Sequence, residues 1–543
     1  MAGQRPSFGL EEIESHWPSR LLRVTDFTSF PKEVIGNECR YGPAVYPRYN
    51  IISYTWGRYR AKPDEDGTAI DIQGVPWPVP RIKCDPSAEE SSATGFRSDQ
   101  FEQVLYKIGQ DTQFVWVDVG CIPQKGGRGY TAELQTETDV EIAHQAGIFH
   151  RADQAYVWLH QMSTGDLSQA IEGLCHHDWR RAKMLFADPW FTSLWTLQEG
   201  YLRKDAILLS RDGDDVTFPR NSSAVTLGDL MRLTDAIVHR GQAMFYEQFR
   251  YAGVETMLSK NPLVLLGVVP HRTVSPDDEN DKVCGIMQIF GLKLNRSNDF
   301  DDLCRDFAEQ IVCKSPVVSQ AFTHPIPNAE PSWRIPIPEP SVSSVSIGIS
   351  YREGGGRPQT PYDHTKMVPK EFYDMVEIWW EGRAQVSFDG SGAMTFEGRV
   401  INLRNMQRIL EDSNPSERLG DDPEHTEELQ YVNGKRINSC HCSVYLDKGN
   451  SDGSNPFAPM RRDPLNQMPA DPLREIERLI NERKGGHVLV LGKFKAGHEV
   501  AYLGILTRRF RDGNTVVQRR FGFCTWNVEL DQDEYTFNRE VIY

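Results

Sequence analysis

Four short apolar runs, each closed by polar or small residues, punctuate the first 210 residues of the chain, at 50–54, 114–117, 155–159 and 206–210. Runs of that length, bounded by turn formers, read as buried strands. Helical spacing recurs between them. Phe101, Val104, Leu105 and Ile108 share one face ahead of the second run, and 133–150 reads as a helix ahead of the third. A helix over 167–174 and another carrying Trp195 and Glu199 precede the fourth. Strands that alternate with helices predict an α/β domain built on a mostly parallel sheet with helices on both faces.

The rest of the chain follows other periods. Residues 1–45 read as an N-terminal extension with a short amphipathic stretch over 10–17, and a long polar loop carries the acidic clusters at 63–67 and 86–90. From 216 to 314 the spacing is helical, over 227–237, 243–257, 283–292 and 303–312. Residues 315–370 are rich in Pro, Ser and Gly and read as a linker or extended arm. From 371 to 543 apolar and polar positions alternate between Gly-containing turns, which predicts a β-rich C-terminal region.

A chain of 543 residues exceeds one compact core, so two or three domains are expected. The net charge of -16 speaks against broad nucleic-acid binding, which needs a basic face, yet one local basic cluster would still suffice for a small anion. No apolar signal core opens the chain, and the best apolar run, 262–270, is far shorter than a membrane span. Ten cysteines spread thinly over this length form no disulfide framework. The expectation is a cytoplasmic protein without a membrane span.

Candidate chemistry collects at the ends of the runs. An apolar run that ends in polar residues is how a buried strand delivers its C-terminal end to a ligand crevice. The first run leads into Ser53-Tyr54-Thr55-Trp56-Gly57, followed by Arg58 and Arg60. The second leads into Asp118 and the turn to Gln124. Trp195 and Glu199 are four apart and so share a helix face. Convergence of these ends would build a pocket with two carboxylates, aromatic faces and, at Arg58, a contact for a diphosphate. Each residue also has a plainer reading. Glu199 would be solvated or paired with Arg203, Asp118 would cap its own turn, and Trp56 would be a core indole. Cys121, with His144 or His150 beside it, reads as a buried small residue rather than a nucleophile. The Cys175–His177 and Cys440–Cys442 stretches lack the paired spacing of a structural zinc site, so no metal is expected. No GxSxG, GxGxxG or P-loop sequence is present.

In order and spacing, four motifs resemble the fungal heterokaryon-incompatibility (HET) domain. They are Ser53–Gly57, Trp116–Gln124, Ile148–Ala152 with Val157–Leu159, and Trp195–Glu199. The resemblance spans roughly 45–210, and the stretch from Asp281 to Phe290 is similar to a segment that often follows such domains. HET domains are in turn similar to Toll/interleukin-1 receptor (TIR) domains, some of which cleave NAD with a glutamate four residues after a tryptophan. What the resemblance implies is a TIR-like fold, a role in nonself recognition and programmed cell death, and NAD or a related nucleotide as substrate rather than cofactor. Glu199 would be the catalytic carboxylate. Ser53, Tyr54, Trp56, Gly57, Arg58, Asp118 and Trp195 would shape the pocket. Two other readings stay open: a non-catalytic module that assembles with itself or a protein partner, and a nucleotide sensor without turnover.

Overall fold

The computed structural model describes residues 16–55, 61, 67–68, 70–83, 96–124, 130–218 and 223–239, then parts of 252–320 and 380–542. The chain divides into two compact units, one of residues 1–304 with 360–372, the other of 305–359 with 373–543.

Eight strands form the sheet of the first unit: β1 Arg20–Arg23, β2 Thr28–Ile35, β3 Glu38–Tyr41, β4 Ala44–Val45, β5 Asn50–Ser53, β6 Phe114–Trp116, β7 Ala155–Trp158 and β8 Ile207–Leu209. Their order is β8-β7-β5-β6-β1-β2-β3-β4. The strands at the four apolar runs pair in parallel, β8 with β7, β7 with β5 and β5 with β6. From β1 onward every pairing is antiparallel. The sheet is therefore mixed, and its parallel half alone has the character expected from the alternation of strands and helices.

Residues 20–45, which the periodicity assigns to an N-terminal extension, supply that antiparallel half. Leu21 and Leu22 are fully buried where β1 lies beside β6, with Leu22 opposite Val115. The signal is weak in sequence because β1, β3 and β4 have only two to four residues, too few for alternation to show, and the eight-residue β2 buries only Ser29.

The parallel strands are covered on both faces, which is why they read as continuous apolar runs. Every residue of β5 and β6 is buried. The helix α1, Ser98–Gly109, turns Phe101, Val104, Leu105 and Ile108 inward, and Asn50 Nδ2 donates to the Ile108 carbonyl at 2.6 Å, fixing strand against helix. Further helices are α2 Asp118–Cys121, α3 Ala132–Ala143, α4 Gln145–Arg151, α5 Thr164–Cys175, α6 Leu194–Leu202, α7 Leu227–His239 and α8 Asp281–Met287. The chain passes from β5 to β6 on one side and from β7 to β8 on the other. The connections thus diverge between β5 and β7, the kind of switch point at which open α/β sheets bind ligands in a crevice.

In the second unit, β9 Met394–Asn402, β10 His487–Ala496, β11 Glu499–Asp512, β12 Thr515–Trp526 and β13 Thr536–Ile542 pair in a ring. β9 joins β10, each strand joins the next, and β13 returns to β9. The β-rich C-terminal region thus closes into a barrel, whose register puts fully buried Leu489, Leu503 and Ile505 on one face of the sheet and Trp526, stacked on Tyr502, on the other. The stretches 243–251 and 321–379 lie outside the described residues. Among the described residues no helix is long and apolar enough to cross a membrane.

Candidate functional site

Ser53 is the last residue of β5 and is buried at the C-terminal end of that strand, beside β7. Its Oγ donates to Glu199 Oε2 at 2.5 Å and accepts the indole N–H of Trp190 at 2.8 Å. Indole, hydroxyl and carboxylate thus form a relay of two hydrogen bonds that fixes one carboxylate oxygen. Trp190 is fully buried. Asp188 holds it there, its carboxylate capping the 3-10 turn Pro189–Thr192 through the Trp190 amide at 2.9 Å. Gly200 matters for the same contact. A Cβ at that position would stand 2.9 Å from Trp190 Cη2, so a side chain there would push the indole away from α6.

Tyr54 follows Ser53, and successive side chains of an extended chain leave on opposite faces. Its hydroxyl donates to Asp118 Oδ1 at 2.6 Å. Asp118 also accepts its neighbour's amide, Val119 N, at 2.7 Å, while its carbonyl receives Gln124 Nε2 at 3.1 Å. Asp118 therefore stabilises its own turn and engages Tyr54 as well. Ser53 and Tyr54 between them bring the end of β5 into contact with carboxylates carried by two different helices.

Glu199 is half-buried: packed side chains crowd its carboxylate, and solvent still reaches part of the residue. Burial is the main reason its pKa is pushed up to about 8. The Ser53 hydrogen bond opposes that shift, and the negative charge of Asp118 adds to it. No cation pairs with Glu199 among the described residues. Arg203, one turn on, is buried and turned elsewhere. It forms two 2.7 Å bonds to Asp205 and donates to the carbonyls of Phe149 and Ala152 at 2.7 and 2.9 Å.

Trp195 shares the helix with Glu199, and its indole Nε1 donates to Asp281 Oδ2 at 3.2 Å. The indole hydrogen-bonded to the Ser53–Glu199 pair is Trp190, which the sequence reading does not single out. Its signal is the Asp188-Pro189-Trp190 turn, a helix-start pattern of capping Asp followed by Pro. Trp56, Gly57, Arg58 and Arg60 lie outside the described residues, as does the Cys440–Cys442 stretch.

Cys121 is fully buried, and burial pushes its thiol up to about 12, so it is no source of thiolate at neutral pH. Its Sγ faces the Val115 carbonyl at 3.9 Å. Among the described residues no group of His, Cys, Asp and Glu could hold a metal ion.

Residues 49–199 match the family model described as heterokaryon incompatibility protein (HET). This segment is a HET domain. Its match opens at Tyr49, directly before β5, and closes on Glu199, so both halves of the Ser53–Glu199 pair lie at its ends. No curated protein and no solved structure matches the chain.

Proposed function

We propose that the HET domain is the effector of a heterokaryon-incompatibility response, in which nonself recognition leads to programmed cell death. Its chemistry would be hydrolysis of the N-glycosidic bond of NAD or a related nucleotide. The observation that carries this reading is the Glu199 carboxylate, bound by Ser53 at the end of β5 beside the β5/β7 switch point and without a counter-cation among the described residues. The parallel strands also follow the flavodoxin-like order, second-first-third-fourth along the chain, in which a ligand binds at this switch point.

The bond between nicotinamide and ribose breaks with its electron pair leaving on a ring that is already cationic. No acid is needed to protonate the leaving group. The ribose passes through an oxocarbenium-like state, which an ionised Glu199 stabilises until water adds and a proton is released. Ser53 and Trp190 keep the carboxylate in place while this happens. With its pKa near 8, Glu199 is largely protonated in the free protein at neutral pH. The value of kcat/KM should therefore rise with pH and level off above about 8.

The test is purified full-length protein incubated with NAD, with free nicotinamide measured. Glu199→Gln keeps the shape but removes the charge, and should lower the rate about a hundredfold or more. Undiminished release in this variant would end the catalytic reading.

A non-catalytic assembly module is the second reading. Its support is the apolar surface along the β2–β4 hairpins, where Val34, Ile35, Val45 and Tyr46 are exposed. Cell killing that survives Glu199→Gln and is lost on Val34→Asp with Ile35→Asp would favour it.

A further inference from the structure

Glu199 sits on a nine-residue helix, and the polar contacts that hold this helix come largely from later in the chain than the HET match. Leu194 N donates to the Thr273 carbonyl at 3.0 Å, and Thr273 N returns a bond to the Thr192 carbonyl at 2.7 Å. Arg272 Nη1 donates to the Ser193 carbonyl at 2.7 Å and to Thr196 Oγ1 at 3.2 Å. Trp195 is held by Asp281, which Arg296 Nη2 clasps in turn at 2.5 Å. Gln198 accepts the Gln288 amide at 2.9 Å and donates to Gln145 Oε1 at 2.8 Å. Gly285 allows α8 to close on this face, since a Cβ there would already stand 3.3 Å from Leu194.

Thr196, Gln198, Arg272, Asp281 and Gln288 are all buried. Apolar side chains of similar volume would attach α6 as firmly, so a buried polar set of this kind adds fixed geometry more than stability. Contacts at 193, 194, 195, 196 and 198 leave α6 little freedom to slide or rotate. Glu199 is the next residue.

We propose that residues 272–273 and 281–288 form a positioning clamp for the Glu199 helix, with Gln198 and Asp281 as positioning residues that set where the carboxylate stands relative to Ser53. This rests on the catalytic reading of Glu199 for its consequence in turnover, but not for its structural content. The clamp makes the working unit longer than the matched segment.

Gln198→Met in the full-length protein tests it, because methionine fills nearly the same volume while removing both amide bonds. The first readout is the Glu199 carboxyl titration by infrared spectroscopy, assigned by its disappearance in Glu199→Gln. It needs no activity. A carboxylate released from its position gains solvent, so its midpoint should fall from about 8 by about one unit in Gln198→Met. The second readout is turnover. Misplacement of a reacting group by about 1 Å costs on the order of a hundredfold, so kcat should fall by about tenfold to a hundredfold with KM nearly unchanged. If Gln198→Met does not fold, Trp195→Phe, which keeps an aromatic ring but removes the donor to Asp281, takes its place. An unchanged midpoint in a folded variant overturns the clamp. A lowered midpoint in a protein that never releases nicotinamide keeps the clamp and removes the catalytic reading.

Discussion

Replacing Glu199 by Gln should make the protein more resistant to unfolding at high pH and leave it unchanged at low pH. The reason is the raised pKa of Glu199, about 8 in the folded protein against 4.5 for a free side chain. Below pH 4.5 the residue is neutral in both states, and Gln imitates it well, since Ser53 Oγ can donate to the amide oxygen as it does to Oε2. Between 4.5 and 8 the unfolded chain loses the proton while the folded protein keeps it, so stability falls steadily as pH rises. Above 8 the loss is complete and constant. The full displacement is a ceiling of about 5 kcal/mol at 1.36 kcal/mol per pH unit. Water reaching a half-buried side chain brings the expected difference to about 2 kcal/mol. For a unit of this size that is roughly 5 °C in melting temperature.

The assay is thermal unfolding of parent and Glu199→Gln at pH 4.5 and pH 9. The fully buried Glu141, pushed up to about 7 by burial, gives both proteins the same background slope, which cancels in the difference. Equal separations of the two melting curves at both pH values would refute the reasoning, because the carboxyl would then titrate alike in folded and unfolded chains.

Other outcomes follow from the same geometry. Cys121 should resist alkylation in the folded protein at pH 8 and react only on unfolding, as read by mass spectrometry; rapid native labelling would contradict its burial. Arg203→Met should cost about 3–5 kcal/mol in urea denaturation, because it leaves Asp205 and two carbonyls without their buried partner. A loss below about 1 kcal/mol would mean that Arg203 is not the anchor its hydrogen bonds suggest.

Much of the parallel half of the first unit was legible in the sequence. The runs at 50–54, 114–117, 155–159 and 206–210 all became paired strands, because a strand covered on both faces must be apolar throughout. The pairing of Glu199 with the first strand end was legible only through motif order, since Ser53 and Glu199 are 146 positions apart. Trp190 was not legible. The four-residue spacing puts Trp195 and Glu199 on one helix face, but a helix face can be shared by two different neighbours. Asp281 takes the indole at one turn, and Ser53 takes the carboxylate at the next. The strands of 20–45 escaped because three of them are short and the eight-residue β2 buries only Ser29, and the closed barrel of the second unit because alternation reveals strands without saying which edges meet.

By itself the sequence determined the local alternatives: where strands and helices form, which polar residues stand at strand ends, and the motif order of a HET domain. Periodicity and turn chemistry are properties of neighbouring residues, so they can be read along the chain. The tertiary structure decided which indole meets Ser53, which carboxylate Arg203 ignores, and how strongly Glu199 holds its proton. Those outcomes are sums over atoms brought together from distant positions. Desolvation and hydrogen bonding act across a few ångströms of space, whatever the separation along the chain.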